Sequence, residues 1–164
     1  MGDGELTMLA RIINWLFVVL AALWVFFGLG MVAFHALGAE LRRGELDLLA
    51  RVVAREATGE PAAGAKAVAW TVLNRLREPE VYGKTVTLVL KRPYQYAAPA
   101  PLADNSTAYL SAMLATVEAV LGVGGDPSLG STHFARCDVR PRPVWMRTFE
   151  RRVVHGSHCF FRKR

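Results

Sequence analysis

The sequence predicts an α+β protein in which one N-terminal transmembrane helix precedes a compact, mainly helical domain with a small antiparallel β-sheet. Three observations predict this fold class. One early segment carries no charged side chain, several later segments have apolar residues at helical spacing, and the C-terminal third is rich in β-formers and turn residues. We therefore divide the chain into a tail over 1–11, a signal anchor over 12–37, a linker over 38–45 and one domain over 46–164.

The anchor is predicted because no Asp, Glu, Lys or Arg occurs between Ile12 and Ala39. A helix needs about 20 apolar residues to cross a bilayer, and cleaved signal peptides usually have a shorter apolar core of about 7–15 residues. We expect a retained anchor in the lipid bilayer, although small residues just before Ala39 also match a cleavage site. Arg42 and Arg43 outnumber Arg11, so charge alone slightly favours a cytoplasmic domain.

Three helices are predicted in the domain from the spacing of apolar residues. The first covers 45–57 and ends before Gly59, because glycine commonly terminates helices. The second covers 61–77 and carries one apolar stripe from Ala65 to Leu76. Ser106 is a suitable N-cap for the third, which ends before Gly122.

Strands are predicted mainly in the C-terminal third. Short antiparallel strands are expected around 132–134, 141–145, 153–154 and 158–161. Residues 86–90 are β-branched and apolar, and periodicity leaves them open as a short strand or a helical turn. Cys137 and Cys159 lack metal-finger spacing and could form one bridge in an oxidising compartment.

Positive charge is concentrated at the C-terminal end of the chain. Nine Lys or Arg and two Asp or Glu lie between Arg136 and Arg164, within a total net charge of +6. Such a segment suits a polyanionic partner, which could be phospholipid headgroups, nucleic acid or an anionic cell-wall polymer. Composition alone does not choose among these three.

Glu56 and Glu60 are the first candidate for chemistry. They lie four residues apart, separated by Ala-Thr-Gly and followed by Pro61. Two solvated glutamates near helix ends would explain them equally simply. However, a carboxyl at a helix end beside small residues can be half-buried, and burial raises a carboxyl pKa toward the range of a general acid.

The second candidate is a group of histidines with one cysteine. His133, His155, His158 and Cys159 could ligate a metal, but their spacing matches no zinc motif, and packed histidines are the simpler interpretation. The third is an aromatic and amide set that either packs the core or binds sugar rings: Tyr94, Gln95, Tyr96, Phe134 and Trp145. No phosphate-binding loop or G-x-S-x-G elbow is present, so nucleotide and serine-esterase chemistry are unsupported.

In their order along the chain these motifs resemble the SleB/CwlJ family of cell-wall hydrolases. Residues 49–61 resemble the family's L-A-r-x-x-x-x-E-A-x-G-E-p opening, and residues 67–75 resemble its A-V-A-x-V-x-x-N-R helix. Four further segments match in the same order. Gln95-Tyr96 matches a Q-F pair, residues 130–134 match G-A-T-H-F/Y, residues 143–145 match P-x-W, and residues 156–162 match G-x-H-x-F-Y-R. Tyr96 replaces the usual Phe, and Ala97 stands where Ser or Cys is common.

The resemblance implies a lysozyme-like domain that cleaves peptidoglycan between N-acetylmuramic acid and N-acetylglucosamine. It implies that Glu56 is the general acid, with Glu60 shaping the site or supplying a second carboxylate. A lytic transglycosylase, giving 1,6-anhydro ends, is favoured over a hydrolase. Neither mechanism needs a metal or cofactor. The residues expected to contact the glycan strand are Asn74, Tyr94, Gln95, Tyr96, His133, Phe134, Trp145 and His158.

The same resemblance implies a location and a partner. We expect a single-pass inner-membrane protein whose domain lies on the periplasmic or cell-wall side, with peptidoglycan rather than nucleic acid as its polyanion. Two other functions stay open. One is a wall-binding module without activity, and the other is a metal-dependent amidase or peptidase that uses His133 or His158.

Overall fold

A computed structural model describes residues 43–164, which contain six helices and one three-stranded sheet. In chain order the elements are α1 (Arg43–Glu56), α2 (Ala62–Leu76), α3 (Pro79–Tyr82), α4 (Val86–Leu90), α5 (Thr107–Val120), β1 (His133–Arg136), α6 (Trp145–Thr148), β2 (Phe149–His155) and β3 (His158–Lys163). The predicted tail, the anchor over 12–37 and the linker as far as residue 42 lie outside the described residues. Within 43–164, no helix has the length and apolarity needed to span a bilayer.

The core lies where α1, α2 and α5 pack together and where the sheet packs on α2. Val68 and Val72 of α2 are fully buried, as are Val53 of α1 and Phe160 of β3. The spacing of the α2 residues places them on one helix face, which explains why the apolar stripe predicted a helix. The mixed architecture predicted from the sequence is therefore confirmed for the described domain.

The ends of the long helices follow their local sequence. After α1, Gly59 adopts a φ of 78°, a conformation that few other residues adopt readily. At the start of α5, the Ser106 hydroxyl accepts a hydrogen bond from the backbone N–H of Tyr109 at 3.2 Å. All three predicted long helices are confirmed, with boundaries that differ by no more than two residues.

Residues 86–90 form α4, which resolves the alternative that periodicity left open. The hydroxyl of Thr85 caps this helix by accepting from the N–H of Leu88 at 3.2 Å. The Glu45 carboxylate also accepts from the N–H of Thr87 at 3.1 Å. These two acceptors satisfy N–H groups that a first helical turn leaves without partners, and they offset the preference of β-branched residues for strands.

The sheet has the order β1-β3-β2, and all pairing is antiparallel. Phe134 of β1 and Val153 of β2 both pair with Phe160 in the central strand. The predicted strand around 141–145 is wrong, because Trp145–Thr148 is the short helix α6. Pro141 and Pro143 have no N–H to donate to a ladder, and the N–H of Met146 bonds to the Pro143 carbonyl instead.

Two tertiary links hold the sheet around the site. Cys137 and Cys159 form a disulfide that joins the end of β1 to β3. At the end of α2, the buried Asn74 amide donates to Asp126, Ser128 and the carbonyl of Ser131, while Arg75 donates to the carbonyl of Thr132 at 2.6 Å. These hydrogen bonds connect the segment before β1 to the C-terminal end of α2.

Candidate active site

Both candidate glutamates line one open pocket of about 360 Å³ between the end of α1 and the sheet. Its lining residues are Glu56, Thr58, Glu60, Gln95, Phe134, Ala135, Arg136, Ser157 and His158. They come from α1 and the loop after it, from the loop after α4, from β1 and from the β2–β3 hairpin. The tertiary fold thus assembles the pocket from segments up to about a hundred residues apart in the chain.

Glu56 is the last residue of α1 and is half-buried, as its position predicts. Its Oε1 accepts a hydrogen bond from the backbone N–H of Ala97. The loop carrying Ala97 is itself held by α1, because Arg51 donates to the Leu102 carbonyl at 2.7 Å and its own carbonyl accepts from Ala100 at 3.2 Å. One carboxylate oxygen is therefore oriented by the backbone, and the side chain still borders the pocket.

Glu60 makes more hydrogen bonds than Glu56, and its side chain is only 8% exposed. Its Oε2 accepts from the backbone N–H of Ser157 at 2.9 Å, and its Oε1 accepts from the Ser157 hydroxyl. Gly156 lies directly against it, since a Cβ on Gly156 would overlap Oε2 of Glu60 and lie 2.7 Å from Cδ of Pro61. Glu60 thus fastens the β2–β3 turn to the start of α2.

The pKa of Glu60 is lowered by its surroundings. Burial by itself raises the pKa of this carboxyl, but the two hydrogen bonds from Ser157 and the charges of His158 and Arg136 together outweigh burial. A carboxyl with a lowered pKa holds its proton less firmly than an ordinary glutamate does. Glu60, with both oxygens bound by Ser157, is therefore less suited to the general-acid role than Glu56, which accepts one backbone hydrogen bond and borders the same pocket.

His158 lies beside Glu60 and is 7% exposed. Its Nδ1 is 3.7 Å from Oε1 of Glu60, and its ring meets the Phe134 ring edge-on with centroids 5.3 Å apart. Burial lowers the pKa of His158, and Arg136 also lowers it, while Glu60 and Glu56 act in the opposite direction. The net lowering keeps the imidazole neutral near pH 7.

Arg136 and Ser157 belong to the pocket, but the sequence did not single them out as site residues. Arg136 is exposed, and its guanidinium donates twice to the Asp138 carboxylate, at 3.1 Å each. Ser157 follows the glycine of a two-residue hairpin turn, and such a position gives no hint of a contact with a glutamate 97 residues earlier. Only the pairing of the strands brings these residues to the pocket.

Three of the eight residues predicted to contact the glycan strand line this pocket: Gln95, Phe134 and His158. Asn74 instead holds the segment before β1, with its side chain buried. The Tyr96 hydroxyl bonds to Thr71 at 3.2 Å, and the Arg75 guanidinium lies 4.8 Å above the Tyr96 ring. Tyr94 is fully exposed with a φ of 61° and does not line the pocket.

His133 and Trp145, also predicted to contact the glycan, lie on the other face of the sheet. His133 pairs with Phe161, whereas His158 pairs with Arg136, so the two histidines point to opposite faces. The His133 ring is 5.2 Å from the Trp145 ring and 4.7 Å from the Phe149 ring. Burial in this aromatic cluster, with the Arg75 charge nearby, lowers the pKa of His133 to about 4.

The histidines do not form the metal site that one alternative requires. Within residues 43–164, no group of three or more His, Cys, Asp or Glu side chains has the geometry to hold a metal ion. His155 is also committed elsewhere, because its Nε2 lies 2.9 Å from the Pro127 carbonyl. Cys159, the remaining member of the predicted group, is in the disulfide.

A second, more apolar groove of about 440 Å³ adjoins the pocket. It lies between α1, α2 and α5, and alanines supply much of its lining, among them Ala57, Ala65 and Ala115. Thr58 and Glu60 border both spaces. An extended ligand bound beside Glu56 could therefore continue past the end of α1.

Comparison with known proteins agrees with this geometry. The sequence profile of the Cell Wall Hydrolase family matches residues 59–161, which is more than half of the chain. The chain belongs to this family. The resemblance seen in the motifs is thereby confirmed, although the matched range contains Glu60 and begins just after Glu56.

Two curated relatives of this cell wall hydrolase domain are spore cortex-lytic enzymes. The one from Halalkalibacterium halodurans is 33% identical over 117 residues, and the one from Bacillus subtilis is 34% identical over 119 residues. Each alignment covers 71% of this chain but only 34% and 37% of the respective relative. The chain thus spans about a third of the length of these enzymes.

Two solved structures have the fold of this cell wall hydrolase domain. The catalytic domain of the Bacillus cereus SleB protein matches with a TM-score of 0.60 and 24% identity, covering 74% of this chain and 91% of that domain. The catalytic domain of the germination-specific lytic transglycosylase SleB from Bacillus anthracis matches with a TM-score of 0.61 and 23% identity, covering 74% and 97%. Together they confirm the fold of the described domain.

Proposed function

We propose that this domain cleaves the bond between N-acetylmuramic acid and N-acetylglucosamine in peptidoglycan as a lytic transglycosylase, with Glu56 as its acid. The observation that carries the proposal is the unequal state of the two glutamates. Both border one pocket, but Ser157 binds both oxygens of Glu60, whereas Glu56 accepts one backbone hydrogen bond. Family membership supports the peptidoglycan substrate, and the relatives named as cortex-lytic enzymes support the reaction class.

Among the described residues that line the pocket, Glu56 is the one carboxyl left available, which favours transglycosylation over hydrolysis. Glu56 would protonate the departing oxygen of N-acetylglucosamine, and the C6 hydroxyl of muramic acid would then attack its own C1. The proton of that hydroxyl passes to the Glu56 carboxylate, which restores the acid. A hydrolase commonly needs a second carboxylate to activate water or to form a covalent intermediate, and the hydrogen-bonded Glu60 is poorly suited to either task.

Anchoring is also a proposal. The uncharged segment over 12–37 would hold the protein in the inner membrane, with the domain on the periplasmic or cell-wall side. The Cys137–Cys159 disulfide supports this side of the membrane, since disulfides persist mainly in oxidising compartments. The disulfide is stronger evidence than the slight preference for a cytoplasmic domain that Arg42 and Arg43 give.

Digestion of purified peptidoglycan tests the reaction. The full chain should release muropeptides with 1,6-anhydro ends, which weigh one water less than hydrolysed products in a mass spectrum. Glu56→Gln should lower the rate by about 100-fold or more, because it removes the proton while keeping the shape. Glu80→Gln is the matched control, since Glu80 is exposed and does not line the pocket.

Other products would contradict the proposal in distinct ways. Reducing ends would indicate hydrolysis, and intact glycan with cut peptides would indicate an amidase or peptidase. Binding to the wall without any product would indicate a wall-binding module.

A further inference from the structure

His158 is a buried polar side chain in the pocket whose Nδ1 has no hydrogen-bond partner among the described residues. Oε1 of Glu60 lies 3.7 Å from this nitrogen. This separation exceeds a hydrogen bond, yet the low exposure of both side chains makes their electrostatic interaction stronger than it would be in water. The rings of Phe134 and Phe160 each meet the His158 ring edge-on, with centroids 5.3 and 6.4 Å away.

The neighbours of His158 decide which ring nitrogen carries the proton. Glu60 is ionised near neutral pH, so its oxygens are acceptors only. A lone pair on Nδ1 would be repelled by this carboxylate, whereas an N–H would be attracted. We assign the proton of the neutral imidazole to Nδ1, which leaves Nε2 as an acceptor.

We propose that His158, held in this tautomer by Glu60, accepts a hydrogen bond from the C6 hydroxyl of muramic acid and aims that oxygen at C1. This inference rests on the proposed transglycosylase reaction. Glu60 is a positioning residue that acts through His158. The proton balance is that of the proposed reaction: the C1–O4 bond breaks as Glu56 protonates O4, the C1–O6 bond forms, and the O6 proton passes by way of Nε2 of His158 to the Glu56 carboxylate.

The proposed role of His158 predicts a specific change in the ratio of products. An oriented C6 hydroxyl reaches C1 before water does, so the ratio of anhydro to reducing ends reports on the orientation. A side chain that only supported the fold would change the total rate without changing this ratio. The ratio therefore separates the two roles.

The test uses the full chain and two substitutions at one position. His158→Phe fills the space without an acceptor, and His158→Gln places an amide oxygen near the Nε2 position. We expect His158→Phe to lower the ratio of anhydro to reducing ends by about fivefold to tenfold, in keeping with the loss of one hydrogen bond. His158→Gln should recover part of that ratio.

His155→Gln is the matched control. His155 pairs with His158 across the hairpin, lies outside the pocket lining and contacts the Pro127 carbonyl. Its substitution should leave the ratio unchanged. An unchanged ratio in His158→Phe would overturn the role of His158 alone, whereas a wild-type protein that makes only reducing ends would also overturn the proposed reaction.

A measurement on the wild-type protein covers the case in which the variants do not fold. Correlation of the ring protons with the ring nitrogens by NMR identifies the tautomer of each neutral histidine. A proton on Nδ1 of His158 would support the assignment. A proton on Nε2 would overturn it, because Nε2 would then have no lone pair to accept the hydrogen bond from the C6 hydroxyl.

Discussion

Gly156 shows how one residue can determine the geometry of the pocket. It adopts a φ of 53° in the β2–β3 turn, and it lies against the Glu60 carboxylate with no room for a Cβ. The next residue, Ser157, therefore brings its N–H and its hydroxyl to Glu60. Glycine is required here for two reasons, which are the positive φ and the close contact.

Gly156→Ala should destabilise the domain by about 1 to 3 kcal/mol and lower activity, because the new methyl group displaces Glu60. Denaturant unfolding with an activity assay measures both effects. Gly122→Ala is the control. Gly122 also has a positive φ, of 69°, but a Cβ added there would contact no other group within 4 Å. Equal losses in the two variants would contradict the importance of the Glu60 contact.

Glu60 should also make stability depend on pH. Its pKa is lowered in the folded state, so its contribution is fully present above the unfolded pKa and is lost as pH falls through the folded pKa. The difference in unfolding free energy between wild type and Glu60→Gln should therefore shrink from pH 7 to the acid side of the normal glutamate pKa. Urea unfolding at several pH values tests this, and a difference that is constant or grows in acid would refute it.

At the scale of elements, the β2–β3 hairpin is the part that completes the pocket. It supplies Ser157 and His158, and it is connected to β1 both by the ladder and by the Cys137–Cys159 bridge. The N–H of Cys137 also donates to the Ser157 carbonyl at 2.8 Å. The bridge therefore restrains the same turn that contacts Glu60.

Removing the bridge should cost about 3 kcal/mol, since it links residues with a sequence separation of 22. For a domain of this size we expect a reductant to lower Tm by about 10 °C. Calorimetry with and without reductant measures this. The Cys137→Ala/Cys159→Ala double variant should show the lower Tm in both conditions, and a further fall on reduction would mean that the reductant acts elsewhere.

At the scale of the whole molecule, the charge that the sequence concentrates after residue 136 lies on and beside an edge of the sheet. β2 is an edge strand, and Arg151 and Arg152 on it are exposed, as is Arg147 in α6. Arg152 is paired with Glu150, but the basic excess of the segment remains. Charged residues on an edge also discourage strand-to-strand aggregation.

We expect this basic edge to strengthen binding to the anionic cell wall at low salt. Arg147→Gln/Arg151→Gln should weaken pelleting with peptidoglycan sacculi, and added salt should reduce the difference. Lys84→Gln/Lys91→Gln removes the same charge elsewhere on the surface and is the control. Equal binding by the two double variants would show that only net charge matters.

The sequence by itself determined the family, through the order of its motifs between residues 49 and 162. It also determined the long helices and the glutamate at the end of α1, because these depend on residues close together in the chain. The apolar stripe of α2 and the Ser106 cap are local signals of this kind. The Trp145 segment was mistaken for a strand because its aromatic and proline content resembles that of strand ends.

Only the tertiary structure decided which side chains share the pocket. His133 and His158 look alike in the sequence, but the register of β3 places them on opposite faces. Glu56 and Glu60 also look alike, and they differ because a turn 97 residues away binds one of them. Strand register and long-range hydrogen bonds depend on the packing of the whole domain, so no local pattern records them.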